Sequence, residues 1–175
     1  MKNVLRQILE PDLVPVREHY AHVKQKILDY TDDVDEHGDE NNEKYRILEQ
    51  ELHLLTQKDM SQFNLWEWWE ADGVENLAFR ICLPDPPKVD DFSREELREV
   101  VERICTFVEP TPEIEQDEIA WLLWGNQSDF YHQLLKLNFA TYDFKYFIRN
   151  KDKNGNYFEY SIEQKIEAIW VQTNH

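Results

Sequence analysis

Val16, Tyr20, Val23, Ile27 and Tyr30 recur at spacings of four, three, four and three. No other feature constrains the fold as much. The stripe puts apolar side chains along one side of an α-helix, and that side must be covered. Asp12 can cap this helix, and Pro15 is tolerated in its first turn. Tyr45, Leu48, Leu52 and Leu55 repeat the helical spacing further on. Between the two stripes, TDDVDEHGDENNE (31 to 43) has one apolar residue in thirteen, which predicts a solvated loop. Two helices around one loop make a helical hairpin.

Phe92-Ser93-Arg94-Glu95-Glu96-Leu97 spells a third helix start. Ser93 is the N-cap, Glu96 completes a capping box, and Phe92 and Leu97 stand at the staple positions. Leu97, Val100, Val101, Ile104 and Cys105 form its buried face, and Glu99 and Arg103 an i,i+4 pair on the exposed one. Upstream, Leu77, Phe79, Ile81 and Leu83 alternate, which predicts a short strand over 76 to 83, with a short helix as the alternative. Phe130, Leu134 and Leu137 predict a helix opened by Ser128 or Asp129. Tyr142, Phe144, Tyr146 and Ile148 then alternate with polar residues as a half-buried strand does. NKDKNGN (150 to 156) is a hairpin turn with Asn154-Gly155 at its tip. Ser161 and Gln164 cap a last helix with the stripe Ile162, Ile166, Ile169 and Trp170. The expected fold is mainly α, of α+β type. It is a helical single domain over 1–175 with a small antiparallel β-hairpin near the C-terminus.

The longest apolar run, Ile119 to Trp124, is far short of the roughly 20 residues that span a bilayer. MKNVLRQILEPDLVP has neither a continuous apolar stretch nor a small-residue cleavage site, so no signal peptide is expected. Cys82 and Cys105 have no CxxC partner and are expected as reduced, buried thiols of a cytoplasmic protein. The net charge of −17 opposes binding to nucleic acid or to an anionic membrane. The excess is uneven. Residues 28 to 51 carry ten acids and two bases, whereas residues from 129 onward carry six of each. Such a field keeps a protein soluble and also attracts a strongly basic partner.

FNLWEWWEADG (63 to 73) places Trp66, Trp68 and Trp69 among Glu67, Glu70 and Asp72. On a helix no single stripe buries all three indoles, so two are expected to pack inward and one to stay partly exposed. An exposed indole ringed by carboxylates suits a protein interface: the ring supplies contact area, and the acids steer a basic partner. Trp121 and Trp124 repeat the theme after the acid-only stretch EPTPEIEQDE. The carboxylates of 32 to 40, Asp32, Asp33, Asp35, Glu36, Asp39 and Glu40, are the second candidate surface.

The chemistry-bearing alternatives are thinner. Asp33, Asp35, His37 and Gly38 begin an EF-hand register, but its bidentate position falls on Lys44, so no metal is expected. His19 and His22 alone make no zinc site. Glu67 and Glu70 could serve as an acid–base pair, but no phosphate loop, nucleophile elbow or Cys/His signature accompanies them. No catalytic residue and no cofactor is expected.

A strongly acidic, aromatic-rich single domain carrying FNLWEWWEADG, IAWLLWGNQSDFYHQLLKLNF and NKDKNGNYFEYS resembles the immunity proteins of bacterial polymorphic-toxin and contact-dependent growth inhibition systems. The resemblance implies a stoichiometric inhibitor of a cognate toxin, commonly a nuclease, acting in the cytoplasm. A nuclease cleft is basic because it must attract phosphate, and carboxylates laid over it meet complementary potential. Two other readings stay open: a nucleic-acid mimic that inhibits a DNA- or RNA-binding complex, and a small hydrolase using paired carboxylates.

Overall fold

A computed structural model describes Leu5–Trp170 of the 175-residue chain. Among these residues there are seven α-helices: α1 Val14–His37, α2 Glu43–Thr56, α3 Gly73–Cys82, α4 Arg94–Cys105, α5 Pro112–Gln116, α6 Glu118–Asn138 and α7 Ile162–Ile169. Strands β1 Asn150–Lys151 and β2 Tyr157–Phe158 form a two-stranded antiparallel sheet, with Asn150 opposite Phe158. The fold is therefore mainly helical with a small β-hairpin near the C-terminus, as its periodicity predicts. The chain divides into two compact units, neither continuous in sequence. One comprises Asp12–Pro84 and Pro112–Leu123; the other comprises Met1–Pro11, Asp85–Thr111 and Trp124–His175. Helix α6 contributes its first turns to one and the rest to the other.

The first unit holds 21 Asp and Glu against 7 Lys and Arg, which places −14 of the −17 on it. We call it the acidic unit. Its frame is the α1–α2 hairpin. Val16, Tyr20, Val23, Ile27 and Thr31 are buried along α1, and Leu48 and Leu52 along α2. Lys26 pairs with Glu51 at 2.6 Å, the Tyr30 and Tyr45 rings meet edge to face, and Lys44 pairs with Asp33 at 2.5 Å. As one chain ascends the other descends, so the two helices are antiparallel. Asp12 Oδ1 accepts the Val14 N–H at 3.0 Å, one position before the N-cap, and Pro15 lies in the first turn.

Two expectations for this unit need correction. Residues 31 to 37 are helical, so the predicted loop shrinks to the few residues between His37 and Glu43. Tertiary partners extend α1 beyond its apolar stripe: Thr31 is buried under Trp68, and Asp33 is tied to Lys44 and His37. Gly38, at φ 69°, ends the helix in a conformation that costs a side chain-bearing residue strain. Residues 76 to 82 belong to α3, the helical alternative, rather than to a strand. Val74, Leu77, Ala78, Ile81 and Cys82 are buried at the i, i+3, i+4, i+7, i+8 spacing of a helical stripe, and Phe79, buried beside them, supplies the alternation with Leu77, Ile81 and Leu83 that reads as a strand.

The second unit, the β-hairpin unit, is built on α4, the later turns of α6, and α7. Ser93 Oγ accepts the Glu96 N–H at 3.1 Å while Glu96 Oε2 accepts the Ser93 N–H at 2.9 Å, the capping box expected there. Ser161 and Gln164 form a second box at α7. Leu97, Val100, Val101, Ile166 and Ile169 are buried as expected, but Cys105 is exposed at the end of α4, unlike Cys82. Helix α6 begins at Glu118, ten residues before the predicted start, because Asp117 Oδ1 accepts the Ile119 and Ala120 N–H groups. Leu137, assigned to its buried stripe, is exposed. The strand predicted over 142 to 149 is absent. Asp143 caps a 3-10 turn, Phe144–Phe147, which gathers Phe144 and Phe147 around the His132 ring. In the β-hairpin turn, Asp152 Oδ1 accepts from Asn154 and Asn156 at 2.8 Å each, and Gly155 takes φ 83°.

Glu96 gives this unit a pH dependence. It is 4% exposed, and Arg6 Nε donates to its Oε1 at 2.5 Å. Burial opposes its ionisation, but the Arg6 and Ser93 hydrogen bonds outweigh burial and hold its pKa below the usual range. A depressed folded pKa stabilises the fold above the unfolded value, about 4.3, and is lost as pH falls through the folded one. Glu96→Gln is therefore expected to lower the melting temperature at pH 7. Its difference from the parent should shrink below about pH 4. Melting curves from pH 7 to 3 test this; an unchanged difference throughout would show that the carboxylate charge is irrelevant.

Candidate partner-binding site

Residues 63 to 72 do not continue any α-helix. Asn64 Oδ1 accepts the N–H groups of Trp66 and Glu67, both at 3.1 Å, so its side chain bends the loop. A single 3-10 turn, Trp68–Glu70, follows, and α3 starts at Gly73, whose φ is 87°. The loop is fixed to the helical hairpin at two points. Tyr45 Oη accepts the Leu65 N–H at 3.3 Å, and Trp68 Nε1 donates to Thr31 Oγ1 at 3.1 Å. Thr31 Oγ1 in turn donates to the Ile27 carbonyl. Leu65 is buried beneath the loop as its anchor.

The three indoles join a chain of five rings. Tyr45, Tyr30, Trp66, Trp69 and Trp68 meet successively edge to face, with centroids 5.4–6.0 Å apart. This arrangement suits the ring quadrupoles and contributes beyond simple burial. Burial pushes the Tyr30 phenol up to about 12, with the Asp39 carboxylate adding to the effect, so this ring stays neutral. Trp66 and Trp68 are half-buried, while Trp69 keeps 47% of its surface in solvent.

The acids of the loop gather beside these rings. Glu67, Glu70 and Asp72 line one open cavity of about 220 Å³ together with Asn64, Trp68, Leu77 and Arg80. Asn64 Nδ2 donates to Glu67 Oε2 at 3.0 Å, and Arg80 stands 3.5 Å from Asp72 at the rim. All three carboxylates are exposed.

The second candidate group divides. Asp39 accepts the Lys44 and Tyr45 N–H groups at 3.2 and 3.0 Å and so caps α2. Asp33 faces Lys44 and His37, which hold its pKa low. These two carboxylates are committed to the hairpin itself. Asp32, Asp35 and Glu36 lie exposed on the last turns of α1, and Glu40 is exposed in the loop that follows. Asp35 is one turn beyond Thr31, on the side that carries Trp68. The helical backbone through His37 also removes the calcium-loop register. Among the described residues no group of three or more His, Cys, Asp and Glu could hold a metal ion.

Sequence reasoning missed four residues of the site. Tyr30 and Tyr45 belong to apolar stripes, which point to core, and Arg80 lies on α3, where alternation suggests a strand. Asn64, two residues before Trp66, carried a signal in its preference for bending its own backbone. Of the second tryptophan pair, both on α6, Trp121 is 44% exposed, while Trp124 is half-buried and donates to the Val108 carbonyl at 2.8 Å.

Among the described residues no helix is long and apolar enough to cross a membrane. Comparison with protein-family models, with curated proteins and with solved structures gives no match to this chain.

Proposed function

We propose that this chain is a non-catalytic binding protein that docks a basic protein partner on the Trp66–Trp69 loop, and that it serves as an immunity-type inhibitor of a nuclease-like toxin in the cytoplasm. One observation carries the reading: a partly exposed indole, Trp69, is held between two others of a supported ring cluster, beside a cavity lined by three exposed carboxylates. Rings held by other rings lose little freedom on binding, which suits an anchor. The carboxylates offer pairing positions to lysines and arginines, and the −14 of the unit speeds encounter with a cation-rich surface. Inhibition is by occlusion of the partner's phosphate-binding cleft, with no turnover.

The test is protection of a nuclease assay. A toxin domain sought in the neighbouring reading frame is purified with and without this chain. The expected result is a 1:1 complex that silences cleavage and weakens as salt rises. Absence of both complex and protection would reject the reading.

A further inference from the structure

The acidic chain carries one surface of the opposite character. Residues 144 to 160, FKYFIRNKDKNGNYFEY, hold Lys145, Arg149, Lys151 and Lys153 against Asp152 and Glu159. Asp152 is occupied by the amides of its own turn, and Lys145 pairs with Asp143 at 3.0 Å. Arg149 and Lys151 sit over the Tyr157 ring, 4.4 and 4.8 Å from its centroid. Among the described residues neither they nor Lys153 pairs with a carboxylate, although the chain has 36 acids for 19 bases. Apolar surface surrounds them: Tyr157 is 57% and Phe144 54% exposed, and Ile148 and Phe158 are also open. Lys151, Tyr157 and Phe158 stand on the two-stranded ribbon, Lys153 lies in its turn, and Phe144, Ile148 and Arg149 lie in the segment leading into it.

We infer that this β-hairpin docks on the acidic Trp loop of a second copy of the chain. Charge complementarity chooses the occupant. The hairpin offers cations and aromatic area, and the loop offers Glu67, Glu70, Asp72 and the Trp69 ring. Nucleic acid is the other anion such a surface could meet, and an oligonucleotide measurement separates it from a second copy. The contact is heterologous, so an open assembly always keeps one unused hairpin and one unused loop and grows with concentration. At about 0.1 M salt the Debye length is about 10 Å; repulsion between whole molecules is then screened while contacting pairs still attract. The inference shares the Trp loop with the function proposed above. Self-association would cover that loop until a basic partner displaces the hairpin.

Sedimentation of the full chain tests it. At about 0.1 M salt the weight-average mass should rise with concentration above the 21.2 kDa of one chain, and at about 0.5 M it should return to that value. The R149E/K151E variant should stay monomeric, and so should E67Q/E70Q/D72N. The two mixed should form a 1:1 heterodimer, because each retains the surface that the other lacks. The milder R149Q/K151Q should weaken association about tenfold, guarding against a hairpin disturbed by charge reversal. A monomer at every concentration, or self-association indifferent to both variants, would overturn the inference. So would loss of binding to a single-stranded oligonucleotide in R149E/K151E with self-association unchanged. Binding of the basic partner by R149E/K151E is expected to persist, so this inference can fail while the proposed function stands.

Discussion

Trp69→Ala is expected to weaken binding of the basic partner about thirtyfold while leaving the melting temperature nearly unchanged. Trp69 has the exposed ring of the loop, whereas Trp66 and Trp68 are wedged between it and the helical hairpin. Removing an interface tryptophan commonly costs about 2 kcal/mol or more of binding, which is about thirtyfold in Kd. Removing a partly solvated ring costs the fold much less than removing a core one. Trp68→Ala is the informative contrast. It also breaks the hydrogen bond to Thr31 and leaves that buried hydroxyl short of a partner, so it should lower stability as well as binding. Titration calorimetry with paired melting curves separates the two variants. Equal loss of stability in both would make Trp69 a structural residue.

Arg103→Ala should produce the largest loss of stability, about 3 kcal/mol, or a drop in melting temperature of about 6–12 °C for a chain of this size. Arg103 Nη1 reaches both Glu10 oxygens at 2.9 and 2.8 Å and the Tyr131 hydroxyl at 2.6 Å, while Nε reaches Glu99 at 2.9 Å. The Tyr131 hydroxyl donates to Glu10 at 2.8 Å, so the three groups close a ring of hydrogen bonds. The Glu10 side chain keeps only 17% of its surface in solvent. Without the guanidinium its charge lies largely buried beside one phenol, and an uncompensated buried charge is what makes broken pairs costly. Arg103→Lys should recover only part of the loss, because an ammonium cannot fork between Glu10 and Glu99. A loss below about 1 kcal/mol in urea unfolding would show that water already screens the network. The sequence placed Glu99 and Arg103 on an exposed face; the N-terminal segment that brings Glu10 over them had no local signal.

What was legible in the sequence had local causes. The stripes of α1 and α2 follow from a 3.6-residue period. The boxes at Ser93 and Ser161 follow from capping chemistry, and the β-hairpin follows from Asn154-Gly155. What was not legible had distant ones. Trp68 and Lys44 hold α1 beyond residue 31, against the solvated-loop composition of that stretch. The turn-forming residues of GNQSD hide the middle of α6, although its cap at Asp117 is sound. Alternation at 142 to 148 suggests a strand, but Tyr142, Phe144 and Phe147 converge on His132 through a 3-10 turn, and Tyr146 meets Tyr160 instead. For the site, the aromatic and acidic composition was readable. The division of labour was not. Asp33 and Asp39 serve the hairpin fold, while Glu67, Glu70 and Asp72 share one cavity.

The central claim is that the loop rings and their carboxylates meet a cationic protein. Indole N–H resonances of the six tryptophans, followed by NMR as the basic toxin-like domain is titrated in, test it most directly. The expected result is that the Trp66, Trp68 and Trp69 signals move or broaden while those of Trp121, Trp124 and Trp170 hold still. Saturable binding that leaves the three loop signals in place and shifts the others would contradict it.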